Sequence, residues 1–283
     1  MLDEAGFGIK TIHVRPGNAA KGLVTTPATL TLFDRITGEV TCFMNATYLT
    51  ALRTASGSAA ATRVMAKNEC AVLIVFGAGL QAELHVMTMV CVRPMLRKVV
   101  LVNRSVTKAE ALVYKLKTSL MEMSLDGTGR KLDKLPEFEI VESGSLDFIQ
   151  RACGNADIIC CTTGSPTPLF KGEWIKDDVH INAVGSYQPH TSELDVETFR
   201  RCHQVVVDTE EAITVGDIAN PIKEGVLNLH EIGGLGSMLQ SSFSRAGKGT
   251  LFKSAGNACQ DISTGYYILS ECEKRQIGTI FNL

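Results

Sequence analysis

Six consecutive residues, Gly77-Ala78-Gly79-Leu80-Gln81-Ala82, have the types and spacing that hold a pyrophosphate. Gly77 permits a tight turn, Gly79 lets the backbone approach the phosphates, and Ala82 lets the next helix pack closely on the preceding strand. The N-terminus of that helix faces the phosphate charge. Such a pattern carries meaning only between a strand and a helix. It stands there: Ala71-Val72-Leu73-Ile74-Val75-Phe76 is a continuous apolar run suited to a parallel strand covered on both faces, and residues 80–92 read as helix. The second strand, residues 98–102, ends at Asn103-Arg104-Ser105. A site for NAD places an acid at this point for the ribose 2′-hydroxyl. An arginine and a hydroxyl without an acid suit a 2′-phosphate, so NADPH is the expected cofactor, with NADH as the other option. The plainer alternatives are an ordinary strand–helix turn and a solvated surface charge at Arg104.

The elements that must position these residues follow from periodicity. Residues 9–14 and 28–33 read as strands, and Asp34-Arg35-Ile36-Thr37-Gly38 turns the chain into residues 39–43 as a hairpin. Asn45 suits the cap of a small-residue-rich helix running to about Lys67. Beyond the glycine turn, Ala109, Leu112, Val113, Leu116 and Leu120 recur at helical spacing. A short helix at 145–151, strands at 156–161 and 179–184, a helix at 196–202 and a strand at 204–208 follow. That alternation predicts an open parallel α/β sheet. Past Asp208 the pattern weakens. Residues 241–250 read as an exposed loop, and the chain closes with residues 251–254 and an amphipathic helix over about 257–274.

The whole chain narrows the function classes. Its 283 residues, 45% hydrophobic and 20% charged, describe a globular protein, and a net charge of −2 gathers neither nucleic acid nor anionic membrane. No apolar run reaches the roughly 20 residues that span a bilayer. Nine cysteines without zinc-like pairs, Cys153, Cys160, Cys161 and Cys259 among them, suit reduced and mostly buried thiols. Asp3 and Glu4 stand where a secretory signal would be apolar, so a cytoplasmic protein is expected. The six histidines lack ligand spacing, and no metal is expected. His85 reads as a helix residue near the surface of the cofactor domain, and His180 as strand packing.

Several ordered motifs make the chain resemble the ornithine cyclodeaminase/mu-crystallin family. They are Arg53-Thr54-Ala55-Ser56-Gly57-Ser58-Ala59-Ala60, the glycine turn continued through Glu83-Leu84-His85, and Ala156-Asp157-Ile158-Ile159-Cys160-Cys161-Thr162-Thr163. Trp174 to Asp195 (W-x5-H-I-N-A-V-G-S-x2-P-x3-E-L-D) and Lys253-Ser254-Ala255-Gly256-Asn257-Ala258-Cys259-Gln260-Asp261 complete the set. The resemblance implies an α/β dimer with a Rossmann-type doubly wound parallel sheet over residues 69–252. A smaller α+β domain, residues 1–68 with 253–283, would carry substrate contacts and the dimer interface. By position, Lys10 resembles the family's active-site lysine and Arg53 its substrate-carboxylate arginine. Thr26 resembles a cofactor contact, as do Thr162, Thr163, Val184, Gly185, Ser186 and Ser254 near the nicotinamide and its ribose. The chemistry agrees: an arginine grips a carboxylate bidentately, and a lysine in a partly apolar pocket donates a proton or hydrogen bond. The alternatives are a solvated Lys10 and an Arg53 paired with a neighbouring acid.

Two departures from the family pattern shape the expected activity. The cyclodeaminases place an aspartate shortly after the glycine of the A-V-G segment, where this chain has Gly185-Ser186-Tyr187-Gln188-Pro189. Without that carboxylate, loss of ammonia from ornithine is disfavoured and reduction of a preformed C=N bond is favoured. The expected substrate is a small cyclic imino acid such as pyrroline-2-carboxylate or piperideine-2-carboxylate. Family members also carry several tens of residues before the lysine, with a further substrate-binding arginine. Here nine residues precede Lys10, which implies either another segment over the pocket or impaired activity. The rival expectations are an NAD-dependent ornithine cyclodeaminase or amino-acid dehydrogenase, and a non-catalytic NADPH-binding protein.

Overall fold

The computed structural model describes residues 6–125, 134–240 and 248–280. Strands β1 (Phe7–Ile12), β2 (Ala28–Phe33) and β3 (Val40–Asn45) lead into helix α1 (Thr47–Met65). An alternating stretch follows: β4 (Val72–Phe76), α2 (Leu80–Val92), β5 (Lys98–Asn103), α3 (Val106–Leu125), β6 (Glu137–Glu142), α4 (Leu146–Asn155) and β7 (Ile158–Cys161). Then come β8 (His180–Ala183), α5 (Val196–Arg201), β9 (Cys202–Val207), α6 (Gly216–Lys223), β10 (Ile232–Gly234), α7 (Leu235–Gln240), β11 (Gly249–Lys253) and α8 (Ala258–Lys274). The chain divides into two units, Met1–Thr54 with Gly256–Leu283, and Ala55–Ala255.

In the first unit β1, β2 and β3 form an antiparallel sheet with β2 central. Alternation in β2 buries Ala28, Leu30 and Leu32, which pack with Ala46, Leu49 and Ile262 of α8. Gly265 lets α8 lie close, since an added Cβ would come 2.4 Å from Leu30. The hairpin turn forms as expected: Asp34 Oδ1 accepts from the N–H groups of Ile36 and Thr37 at 2.8 and 2.7 Å, and Gly38 takes φ +75°. Asn45 ends β3, and its Oδ1 accepts from Thr47 N at 2.9 Å where α1 begins.

The second unit is an eight-stranded sheet, ordered β10-β9-β11-β8-β7-β4-β5-β6, with every adjacent pair parallel. Period-two alternation feeds two cores: Ile74 and Phe76 face one, Leu73 and Val75 the other. Continuous apolar strands are therefore required. From β4 the chain builds outward to β5 and β6, then returns to build β7 and β8 on the other side. The switch point lies between β4 and β7, where an open parallel sheet leaves a crevice beyond the strands' C-terminal ends.

Several elements differ from the sequence reading. Residues 241–247 of the expected loop lie outside the described residues, but Gly249 and Thr250 are buried in β11, between β8 and β9. A polar, glycine-containing stretch hides that strand because its pairing partners are distant in sequence. Edge strand β6 (EFEIVE), which alternates charge with apolar residues, has no counterpart in the sequence reading. Cys153, Cys160 and Cys161 are buried, whereas Cys259 is exposed on the first turn of α8.

Candidate dinucleotide and carboxylate sites

The glycine turn sits at the C-terminal end of β4. Gly77 has φ +115°, and an added Cβ would lie 2.7 Å from Thr162 Oγ1, so conformation and space both require glycine. Gly79 faces open space, and no side chain caps the N-terminus of α2. A cleft of about 590 Å³ opens beside it, lined by Gly77, Ala78, Asn103, Arg104, Thr162 and Thr163 among others. An exposed guanidinium at the rim, uncapped helix N–H groups and a backbone without Cβ atoms at Gly77 and Gly79 fit a dinucleotide.

The other expected cofactor contacts have varied settings. Asn103 Nδ2 donates to Ser105 O at 2.9 Å, while Ser105 Oγ accepts from Lys108 N at 3.3 Å and caps α3. Gln81 Oε1 is buried with no protein donor among the described residues. Thr162 Oγ1 donates to Phe76 O at 2.7 Å. Val184 and Gly185 are half-buried, while Ser254 Oγ donates to Asp208 Oδ2 at 2.7 Å. Thr26 lies in an exposed bend before β2.

His85 is not near the surface. It is fully buried, with Nδ1 donating to Gln81 O at 2.7 Å and Nε2 accepting from Ser58 Oγ at 2.9 Å. Burial depresses its pKa to about 4, which keeps the ring neutral and the tautomer fixed. His180 is buried in β8 against Thr250 and Asn182.

Lys10 of β1 and Arg53 of α1 come together in the first unit on a residue that sequence reasoning assigned no role, Asp261. Asp261 Oδ1 lies 2.5 Å from Lys10 Nζ and 3.0 Å from Arg53 Nε, although the Nε–H is not aligned for a hydrogen bond. The three side chains are 8%, 10% and 9% exposed for Lys10, Arg53 and Asp261. Burial lowers the Lys10 pKa, the bond from Asp261 opposes this, and repulsion from Arg53 lowers it further, leaving it below the ordinary lysine value. Asp261 stands in the first turn of α8, where the helix dipole favours a negative charge. Asn257 and Gln260 close that turn as a capping box, and Gln260 Oε1 also accepts from Arg53 Nη1 at 2.8 Å. Gly256, at φ +83°, makes the guanidinium's slot: an added Cβ would sit 2.2 Å from Nη1. Two cations share one carboxylate, and Arg53 Nη2 has no protein partner among the described residues. The arrangement can take a second carboxylate while Lys10 donates a hydrogen bond or proton beside it.

A second buried charge cluster, also unassigned from sequence, lies in the second unit. Glu193 Oε1 accepts from Thr163 N and Thr163 Oγ1 at 2.6 and 2.7 Å, and Oε2 from Gly185 N and Ser186 N at 2.8 and 3.2 Å. Burial raises its pKa to about 7 despite those bonds. Lys253 Nζ donates to Ser186 O at 2.5 Å and lies 3.1 Å from Asp217 Oδ2, both side chains fully buried. Asp217 Oδ1 accepts from Glu193 N at 2.7 Å. Ser186 Oγ donates to Thr191 O at 2.6 Å. The motif that holds Glu193 signalled its presence, but only the loop geometry reveals what it bonds. Tyr187, standing where the cyclodeaminases have their aspartate, is exposed.

Residues 2–276 match the model of the ornithine cyclodeaminase/mu-crystallin family. An uncharacterized cyclodeaminase of Dictyostelium discoideum is 32% identical, across 100% of this chain and 80% of the relative. A Delta(1)-pyrroline-2-carboxylate reductase of Bacillus cereus is 32% identical, across 96% of this chain and 79% of its own length. The solved structure of Thermococcus litoralis Delta(1)-pyrroline-2-carboxylate reductase, in complex with NADH and L-proline, superposes with a TM-score of 0.85 at 28% identity. That match covers 98% of this chain and 81% of the other.

Proposed function

The chain belongs to the ornithine cyclodeaminase/mu-crystallin family, and on that premise we propose that it reduces the C=N bond of a small cyclic imino acid with NADPH. The observation that carries this reading is the buried Lys10–Asp261–Arg53 cluster, with one positive charge in excess and guanidinium donors left for a carboxylate. Pyrroline-2-carboxylate and piperideine-2-carboxylate present one carboxylate next to the imine carbon, so a grip on that group fixes the reacting bond. Arg53 takes the carboxylate, and Lys10 donates to the imine nitrogen or protonates it. When bound, the nicotinamide cofactor supplies the hydride for the imine carbon. Gly77, Ala78 and Gly79 would hold the pyrophosphate, with Leu80 and Gln81 opening the helix behind it. Asn103 and Arg104 would hold the 2′-phosphate, and Thr162, Thr163, Val184 and Gly185 would shape the remaining surface. Tyr187 in place of a carboxylate supports reduction over ammonia release.

Among the described residues no helix is long and apolar enough to cross a membrane. A homodimer in the cytoplasm completes the proposal. The test is consumption of NADPH with each of the two imino acids, run beside NADH and beside Arg53→Ala. Turnover that prefers NADPH and collapses in the variant supports the reading. Dinucleotide binding without turnover on either imino acid would overturn it in favour of a ligand-binding protein.

A further inference from the structure

We propose that Glu193 is a positioning residue for the half of the dinucleotide that lies beyond the switch point, because its carboxylate ties the loop after β7 to the loop after β8. The proposal rests on the dinucleotide reading of the same face. In an open parallel sheet the dinucleotide crosses the crevice above the strands' C-terminal ends, one half over the glycine turn and the next strand, the other over the strands on the far side of the switch. Here the far side is β7 and β8, and the chain leaves them through Thr162-Thr163 and Val184-Gly185-Ser186.

Val184 N donates to Cys161 O at 3.0 Å where the strands end, and beyond that point no hydrogen bond among the described residues joins the two loops directly. Glu193 holds them, one carboxylate oxygen on Thr163 and the other on Gly185 and Ser186. Close approach is built in: a Cβ at Gly185 would fall 1.9 Å from Thr163 O and 2.6 Å from Glu193 Oε1. Lys253 fixes Ser186 from the opposite side through its carbonyl, and Asp217 fixes Glu193 through its backbone N–H. Glu193 itself is fully buried, so it offers no group to a ligand. Its chemistry is to consume inward-facing donors that would otherwise compete for conformation, leaving the half-buried backbone of Val184 and Gly185 as a fixed outer surface. Thr162 bonds Phe76 O just before the glycine turn, but among the described residues no hydrogen bond joins that turn or Arg104 to Glu193, Lys253 or Asp217. The two halves of the cofactor surface are thereby separable by experiment.

The test is calorimetric titration of the full chain with NADPH and with adenosine 2′,5′-bisphosphate, which reports the β4–β5 half alone. Glu193→Gln replaces an acceptor oxygen by a donor against the N–H groups it served. It is expected to weaken NADPH binding by about ten-fold or more while changing the fragment's affinity less than about two-fold. Thr163→Val, which removes one of the four bonds and spares the buried charge, is expected to weaken NADPH about three-fold with the fragment again unmoved. If Glu193→Gln does not fold, this second variant decides. Equal losses for both ligands, or no loss for either, overturn the assignment. Absence of dinucleotide binding by the unaltered chain overturns both this inference and the function proposed above. Unaltered binding of NADPH by the two variants overturns this inference alone.

Discussion

Among the described residues two buried clusters hold three ionisable groups each, and they are built to opposite ends. In the first unit Lys10 and Arg53 outnumber Asp261, and guanidinium donors remain without a protein acceptor among the described residues. In the second unit Glu193 and Asp217 outnumber Lys253, and the glutamate's oxygens take backbone and hydroxyl donors from two loops. Burying a charge is costly unless it is paired and hydrogen-bonded, so each excess needs an answer. The protein answers the negative excess with its own N–H groups. On the function proposed above, the positive excess is left for the substrate's carboxylate. We therefore read the cluster with surplus positive charge and open donors as a receptor, and the one whose glutamate is held by its own chain as scaffold.

Arg53→Ala gives the largest expected effect, because on the proposed function it removes the charged grip on the substrate. We expect kcat/KM for the imino acid to fall about a thousand-fold with the circular dichroism spectrum unchanged. A loss under about ten-fold would reduce the cluster to a structural ion pair and erase the contrast. Lys253→Met should act on stability instead, leaving Asp217 as an uncompensated buried charge at a cost of about 3–5 kcal/mol in urea unfolding. Little change there would mean the second cluster is not the scaffold described.

Asp261→Asn sharpens the comparison through pH. Lys10 must be protonated to donate, so activity is lost as pH rises through its pKa, which burial already holds below the ordinary value. Removing the carboxylate removes the influence that opposes that lowering, and the alkaline limb of the kcat/KM profile should move to lower pH. An unmoved limb would disconnect Asp261 from Lys10. Arg104→Ala is expected to weaken NADPH binding about ten-fold and leave NADH unchanged, measured by fluorescence titration. The smallest effect concerns Glu193, whose pKa rises from 4.5 to about 7 on folding. Across that window the folded chain holds a proton that the unfolded chain has released, so this group's contribution to stability falls as pH rises. In Glu193→Gln, the fall in thermal midpoint between these pH values should be smaller than in the unaltered chain.

The two clusters also differ from the glycine turn in how the sequence exposes them. The turn was readable because strand, glycines and helix are contiguous, and the strands around it are apolar on both faces. The same logic gave the parallel sheet with its small antiparallel companion. It missed β11, whose polar opening gives no sign that it slots between β8 and β9. His85 was misplaced because its helix is apolar on most sides, so periodicity could not tell the buried face. Asp261 lies 251 residues from Lys10, and no local spacing links them. A capping box at Asn257–Gln260 marks the start of α8, but what its first turn cradles depends on where α1 passes. Glu193 sat inside a legible motif, yet its bonds reach 30 residues back to Thr163.

We propose that the cation excess of the first unit receives the substrate's carboxylate. It is tested most directly on the substrate. NADPH-dependent kcat/KM should be measured for piperideine-2-carboxylate and for the cyclic imine that lacks only the carboxylate. A preference of about a thousand-fold or more for the acid is the result expected of a charged, bidentate grip. Equal reduction of both imines would contradict the account and leave the Lys10–Asp261–Arg53 cluster as part of the fold alone.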